Sequence, residues 1–390
     1  MADETKPSIE IPMMNKLIDY SGILHIHTRF SDGTGTVDEV IQAAQRAHVD
    51  FMVISDHNNI KARQAGAEGW HDSKGKNQPV SDPSDFPKSS TLVIVGEEYT
   101  RKSGHFLSLN IQSNGFPKKH LESYLEFIHQ QGGLTFICHP HFGARYQFLI
   151  GDSSWKRWDI LDQYIGRSRK STESEVSLWP AGIELWSYLG DWAEDLHWFN
   201  FRKHINNPDY YIQGPDARTL ETWDRLCQSH PLVAIGGLDA HALSILPFRT
   251  GIILPYFESF LTIRTHILAN PFIGEWKTDS QKVFDSLQKG HCYISYDLLH
   301  PPKGFMFSIT DEDEEILGIM GDTIPFRKGM TLKIEFPHPE AEIRLIRDGE
   351  LLKETVGDYL AYPPEKAGVY RVELTLNNRA WLFSNPLYLR

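Results

Sequence analysis

The chain has 390 residues, 41% hydrophobic and 23% charged, the composition of a globular protein long enough for two domains or for one large and one small. A net charge of −12 argues against a nucleic acid as the main partner, because phosphate backbones demand a basic face. Cys138, Cys227 and Cys292 lie far apart with no C-x-x-C pair, which offers neither a disulfide framework nor a thiolate zinc site and points to a reducing compartment.

Residues 1–16 hold no basic segment leading into an apolar run. The longest apolar stretch, 251–263, is broken by Pro255 and Glu258, so a cytoplasmic chain without a membrane span is expected. The first predicted strand ends in "LHIHTRFSDGTG" (24–35). Residues i and i+2 of a strand share a face, so His25 and His27 can grip one ion or one phosphate, with Asp32 in the turn that follows. A helix is expected next, opened by the capping box Thr36 and Glu39, with Val37, Val40, Ile41 and Ala44 on one face. "DFMVISDHN" reads as a short buried strand, and a polar loop at about 61–90 leads to a third strand, "TLVIVGEEYT". "GHFLSLNI" makes a fourth, "LESYLEFIHQQGG" a helix stopped by Gly132-Gly133, and "LTFICHPHF" a fifth strand. "AGIELWS", the helix "LETWDRLCQSH" and "LVAIGGLDAH" continue the alternation.

Strands alternating with helices predict an α/β fold with a mostly parallel sheet, open or closed into a barrel. Polar residues gather where the apolar strands end, the rim on which parallel barrels build their sites: Asp56-His57, Glu97-Glu98, His139, Glu184 and Asp239-His241. Residues 145–220 interrupt the rhythm, and seven of the ten tryptophans lie between Trp155 and Trp223. An insertion burying a small core of its own explains them, and a lid over a substrate pocket is the second reading. From about 300 onward, alternating strands separated by Asp-Gly and Asn-Asn turns predict a separate all-β sandwich.

In chain order the rim offers His25, His27, Asp32, His57, Glu98, His105, His139, Asp239 and His241. Imidazoles and carboxylates without thiolate suit zinc, manganese or iron(II) better than calcium or magnesium. The motifs "HIH…SDG", "SDHN", "GEEYT…GH", "CHP" and "GLDAH", spanning residues 25–241, resemble those of the PHP (polymerase and histidinol phosphatase) superfamily of metal-dependent phosphoesterases.

The resemblance implies a distorted (β/α)7 barrel over residues 19–295, after an amino-terminal segment 1–18 and before the sandwich at 300–390. It implies two or three divalent transition-metal ions (Zn, Mn or Fe). His25, His27, Glu98 and Asp239 would hold one ion and carry catalysis through a metal-bound hydroxide. Glu98 would bridge to a second ion on His105 and His139, and Asp32, His57 and His241 would hold a third. The family's G-x-E motif selects Glu98 over Glu97. Arg145 and Arg249 are candidates to fork onto phosphate oxygens, His141 to face the substrate, and Glu184 to orient a ligand histidine. The expected activity is hydrolysis of a small phosphomonoester or phosphodiester, with no long nucleic acid and no membrane as partner. Ester, carbamate or amide hydrolysis on the same scaffold is the alternative, and a degenerate binding module the third reading.

Overall fold

The structure, a computed structural model, describes residues 17–72, 75–76, 90–114, 120–142, 154–162, 179–244, 251–337 and 340–390. The strands that carry the rim are β1 (Ile18–Ile26), β2 (Phe51–Ile54), β3 (Gly69–Asp72), β4 (Gly75–Lys76), β5 (Thr91–Val95), β6 (Glu97–Arg101), β7 (Gly104–Leu109), β8 (Leu134–Ile137), β9 (Gly182–Ser187) and β10 (Val233–Gly237). β1, β2 and β5 pair in parallel, β6, β7 and β8 antiparallel, and β8, β9 and β10 in parallel again. The single strand expected at 91–100 is divided at Gly96, where a Cβ would lie 2.4 Å from the Ser108 carbonyl oxygen. Glycine therefore lets the chain leave β2 and join β7 there. Beyond β10, the amides of Leu238 and Ala240 donate to the carbonyls of Leu24 and His25, which ties the second sheet back to β1.

Both faces of these strands are buried. Phe51, Val53, Leu92, Ile94, Leu107, Leu109, Phe136, Cys138 and Ile235 turn into one apolar cluster shared by both sheets. Their neighbours Met52, Ile54, Val93, Val95, Phe106, Ile137 and Ala234 face a second cluster with the helices. The period-2 alternation thus sorts two apolar sets rather than apolar from polar, which is why the strands read as continuous hydrophobic runs. The helix Val37–Arg46 packs Val40, Ile41 and Ala44 into the outer cluster, and the Thr36–Glu39 capping box is formed reciprocally.

Two expectations need correction. The polar loop at 61–90 contains a helical turn, Lys61–Gln64, and β3, which pairs antiparallel with β5 because Trp70 buries its ring in the inner cluster. The carboxyl-terminal β-rich region is not separate from the first sheet. Strand Ile263–Ala269 pairs with β1 on one side and with Cys292–Tyr296 on the other, and Cys292–Tyr296 then pairs with Arg379–Ser384. An uncovered edge at Cys292–Tyr296 would leave backbone groups unpaired, and the carboxyl-terminal strands satisfy them. The side chain of Asn385 reinforces the junction, accepting from the Ala234 amide at 2.7 Å and donating to the Ala234 and Cys292 carbonyls. A second sheet of Met306–Thr310, Ile316–Ile319, Thr331–Glu335 and Tyr359–Tyr362 packs over this continuation around Phe307, Ile334, Leu345, Tyr370 and Trp381. Among the described residues, no helix is long and apolar enough to cross a membrane.

Candidate metal centre

β1 delivers His25 and His27, though not by simple alternation. His25 has φ 65°, the β1–β2 register shifts between Ile23 and Ile26, and His27 lies just past the strand end. His139 (φ 26°) and Asp239 (φ 50°) also adopt left-handed backbone at strand ends. Non-glycine residues at such angles cost about 1–3 kcal/mol each, a strain that collects at functional sites. Surrounding bonds over-determine the geometry. The Asp56 carboxylate accepts from the Thr28 amide and hydroxyl, both at 2.7 Å, and from the Ser31 hydroxyl at 2.6 Å, which fixes the turn bearing Asp32. The Tyr256 hydroxyl donates to the carbonyls of His27 (2.8 Å) and His241 (3.1 Å) and so joins the two loops.

Glu98 is the hub. Its Oε2 lies 3.4 Å from His25 Nε2, 3.4 Å from His27 Nε2 and 2.7 Å from His57 Nδ1. Its Oε1 lies 2.7 Å from His105 Nδ1 and 3.3 Å from His139 Nε2. Glu97 faces away and accepts from the Tyr124 hydroxyl, as alternation within β6 requires. Asp239 Oδ1 lies 3.5 Å from His25 Nε2 and 3.2 Å from His27 Nε2, while Asp32 reaches His57 at 3.3 Å and His241 at 3.2 Å. The structure therefore brings all nine rim residues together.

Among the described residues, three sets place their ligand atoms within 4.8 Å of one another: His25, His27 and Asp239; His27, Asp32, His57 and His241; and His25, Glu98, Cys138 and His139. His105 touches Glu98 but stands outside these sets. Cys138 was not expected in one. Its thiol belongs to the inner apolar cluster immediately beneath the rim, and its only sequence signal was adjacency to His139. Thr100 was also missed; its hydroxyl lies 2.6 Å from His57 Nδ1.

The donor chemistry fits divalent metal ions. His25 Nε2, His27 Nε2 and His139 Nδ1 are buried without a hydrogen-bond partner, a costly arrangement unless something else satisfies them. Glu184 supports the set from behind: its carboxylate lies 3.2 Å from His25 Nδ1 and accepts the His139 amide at 2.8 Å. That carboxylate occupies the space a Cβ at position 237 would fill, only 2.0 Å away, so Gly237 is required.

Burial alone would raise Glu98, but the fields of His25 and His105 and hydrogen bonds from His105 and His139 hold it well below the usual carboxylate range. Burial and the neighbouring His241 push His27 down to about 3. Burial also works against a charged His57, yet hydrogen bonds to Asp32 and Glu98 hold it at about 10. Two imidazoles of one cluster are thus driven in opposite directions, His27 by complete burial and the neighbouring His241, His57 by hydrogen bonds to two carboxylates.

Of the residues expected to face substrate, His141 is described, with Nδ1 3.0 Å from the Thr219 hydroxyl and its ring stacked on Trp158. Arg145 and Arg249 lie outside the described residues. Trp155, Trp186, Trp192 and Trp223 are all core residues of the outer cluster, and Trp186, on β9 within the sheet, also borders a recess of about 60 Å³ beside His139 and Glu184.

A buried constellation of imidazoles and carboxylates at strand ends, with converging unpartnered atoms, is the architecture of a metal-binding α/β protein. Residues 24–162 match the model of the PHP domain family. Among solved structures the chain is similar to a two-domain protein from Bacteroides vulgatus containing a predicted PHP-like metal-dependent phosphoesterase. The two are 15% identical, the match covers 99% of this chain and 100% of the other, and the TM-score is 0.42. An amidohydrolase from Chromobacterium violaceum is 14% identical over 56% of this chain and 87% of its own, with a TM-score of 0.30. No curated protein matches the chain.

Proposed function

We propose that this chain is a metal-dependent hydrolase whose substrate is a small phosphoester, and that its first part is a distorted (β/α)7 barrel followed by a β-sandwich. The observation that carries this reading is Glu98, fully buried and within 3.4 Å of five imidazole nitrogens, two of which, His25 Nε2 and His27 Nε2, are buried without a hydrogen bond. His25, His27, Glu98 and Asp239 would hold one ion, Glu98 with His105 and His139 a second, and Asp32, His57 and His241 a third. Zinc, manganese or iron(II) suits these donors. When bound, such ions lower the pKa of water towards neutrality and neutralise charge on a departing oxygen.

The chain's own residues supply the rest. Glu184 fixes the tautomer and orientation of His25, leaving Nε2 free to face the rim. Asp56 and Tyr256 keep the Asp32 and His241 loops in place, so no reorganisation is needed when substrate arrives. Two or three divalent ions outweigh Asp32, Glu98 and Asp239 in charge, which favours a phosphate dianion over a neutral carbonyl.

The test is a hydrolysis panel on protein loaded with manganese or zinc, comparing kcat/KM for nucleoside monophosphates, sugar phosphates, an aryl phosphate, aryl esters and carbamates. The phosphates should lead. Esters or carbamates turning over a hundredfold faster than every phosphate would overturn the phosphoester reading in favour of carboxyl-type hydrolysis.

A further inference from the structure

Thr100 has no part in the hydrolytic reading so far, yet it sits against the metal centre. Glu98 and Thr100 are two apart on β6 and so share a face, while Glu97 and Tyr99 turn the other way against Tyr124. An isolated parallel bridge between His57 and Glu98 brings the segment after β2 alongside that face. The Asn58 carboxamide oxygen accepts from the Thr100 amide at 3.1 Å and from Arg101 Nη1 at 3.0 Å, and the Asn58 amide donates to the Glu98 carbonyl at 2.9 Å. The backbone on both sides of Thr100 is therefore held in place beside His57.

The hydroxyl of Thr100 has one proton and gives it to the Glu98 carbonyl at 3.2 Å. Its lone pairs are then left for His57 Nδ1, 2.6 Å away. The other ring nitrogen, Nε2, lies 3.3 Å from Asp32 Oδ2, and Asp32 Oδ1 lies 3.2 Å from His241 Nε2. An ion held by these three residues takes the lone pair of His57 Nε2, so the ring's proton is on Nδ1 and needs an acceptor. Two oxygens are in reach, Thr100 Oγ1 and, at 2.7 Å, Glu98 Oε2. Glu98 Oε2 also lies 3.4 Å from His25 Nε2 and from His27 Nε2, the nitrogens assigned to another ion. A carboxylate oxygen whose charge is shared with an ion is the weaker acceptor, which leaves the proton to Thr100.

We propose that Thr100 is a positioning residue for the third ion: its hydroxyl holds the Nδ1 proton of His57 and so fixes Nε2 as the donor beside Asp32 and His241. The proposal rests on the metal-dependent reading above and adds a residue that none of the ligand motifs contains as a ligand. Loss of the hydroxyl should weaken the Asp32 site alone. The ion assigned to His25 keeps its own support, because Glu184 and not Thr100 lies against His25 Nδ1.

Thr100→Val keeps the shape of the side chain and removes the hydroxyl, Thr100→Ala removes it with less bulk, and Thr100→Ser retains it. The full-length parent and variants are loaded with zinc and counted by elemental analysis, and competition with a chromophoric chelator gives the affinity of each ion. The ion that Asp32→Ala loses identifies the Asp32 site. Thr100→Val and Thr100→Ala should bind that ion about 10–100-fold more weakly, and Thr100→Ser should match the parent. In an Asp32→Ala background, where the site is already broken, Thr100→Val should change neither count nor affinity. Parent-like zinc binding by the two hydroxyl-free variants, an equal loss in Thr100→Ser, or a further loss in the Asp32→Ala background would each overturn the proposal. So would an Asp32→Ala protein that loses no ion, and in all four cases the metal-dependent reading stands on the remaining ions. A folded parent that binds no zinc removes that reading and the proposal together. Circular dichroism checks the fold of every variant, and a lowered melting temperature with the ion count intact counts against the proposal.

Discussion

Glu184→Gln removes one negative charge, keeps the side-chain volume, and changes what His25 can do. In the native protein the carboxylate accepts from both sides, from the His139 amide at 2.8 Å and from His25 Nδ1 at 3.2 Å. A carboxamide has one acceptor oxygen. If that oxygen takes the Oε2 position to keep the His139 amide, the NH2 group takes the Oε1 position, 3.3 Å from His25 Nδ1, and an imidazole that accepts from it carries its proton on Nε2. Nε2 is the atom 3.4 Å from Glu98 and 3.5 Å from Asp239, so the rim would lose a ligand lone pair without any ligand being mutated. Substitutions behind metal-ligating histidines typically cost 10–100-fold in metal affinity, about 1.4–2.8 kcal/mol. Competition with a chromophoric chelator measures this directly, and thermal unfolding checks that the fold survives. Glu184→Asp, too short to reach both partners, should fall at least as far. A Glu184→Gln protein that binds zinc within twofold of the parent would refute the tautomer argument.

Elemental analysis after supplementation with manganese and zinc should find two or three ions per chain; one or none would sink the multinuclear centre. Asp239→Ala and His25→Ala should each abolish nearly all hydrolysis while leaving a folded chain, checked by circular dichroism beside the activity assay. Cys138→Ser should keep both activity and metal count, because Cys138 packs in the inner apolar cluster and the imidazoles and carboxylates of the rim suffice as ligands, and should lose about 1–3 kcal/mol of stability from the buried hydroxyl. An ion lost along with the thiol would instead make Cys138 a ligand. Away from the rim, His266 lies buried between Asp19 (2.8 Å) and Asp297 (3.1 Å); burial opposes its charge, but the two carboxylates hold it at about 10. A raised imidazole stabilises the fold fully below its ordinary value of 6.5 and loses that contribution as pH rises through about 10. Urea titrations should therefore show the parent losing a few kcal/mol, on the order of the shift in its imidazole, between pH 6.5 and 10. His266→Gln should lack that loss, and parallel pH profiles for the two proteins would refute the assignment.

Much of the site was legible because metal ligands sit at strand ends, where a short polar motif interrupts an apolar run. "SDHN" and "GLDAH" announce themselves in this way, and the capping box at Thr36 fixed where the first helix begins. The reason given for His25 and His27 was incomplete. Their common direction comes from a left-handed residue and a register shift, and no side-chain pattern encodes a backbone angle. Asp56 looked like part of a ligand motif, but its carboxylate is spent on Thr28 and Ser31; only the path of the neighbouring loop reveals that. Tyr256 lies more than two hundred residues from His27 in sequence, and no local pattern links them. The β-rich tail was read correctly as strands, but its attachment to Cys292–Tyr296 is a long-range pairing that alternation cannot specify.

The same observations bear on how metal and fold depend on one another. Three rim residues hold left-handed backbone, and three buried ring nitrogens lack a hydrogen-bond partner, so the protein side of the site is individually unfavourable at each of these points. These costs fall on a scaffold whose strands are apolar on both faces and pack into two large clusters. Ion binding can then satisfy the unpartnered atoms without also having to fold the chain, which differs from a small domain that folds only when its metal arrives. It follows that chelation should empty the centre while leaving the two apolar clusters in place. The loss should appear as a modest fall in melting temperature with the secondary structure retained, and an apo-protein that unfolds outright would show that the rim contributes to the core more than its packing indicates.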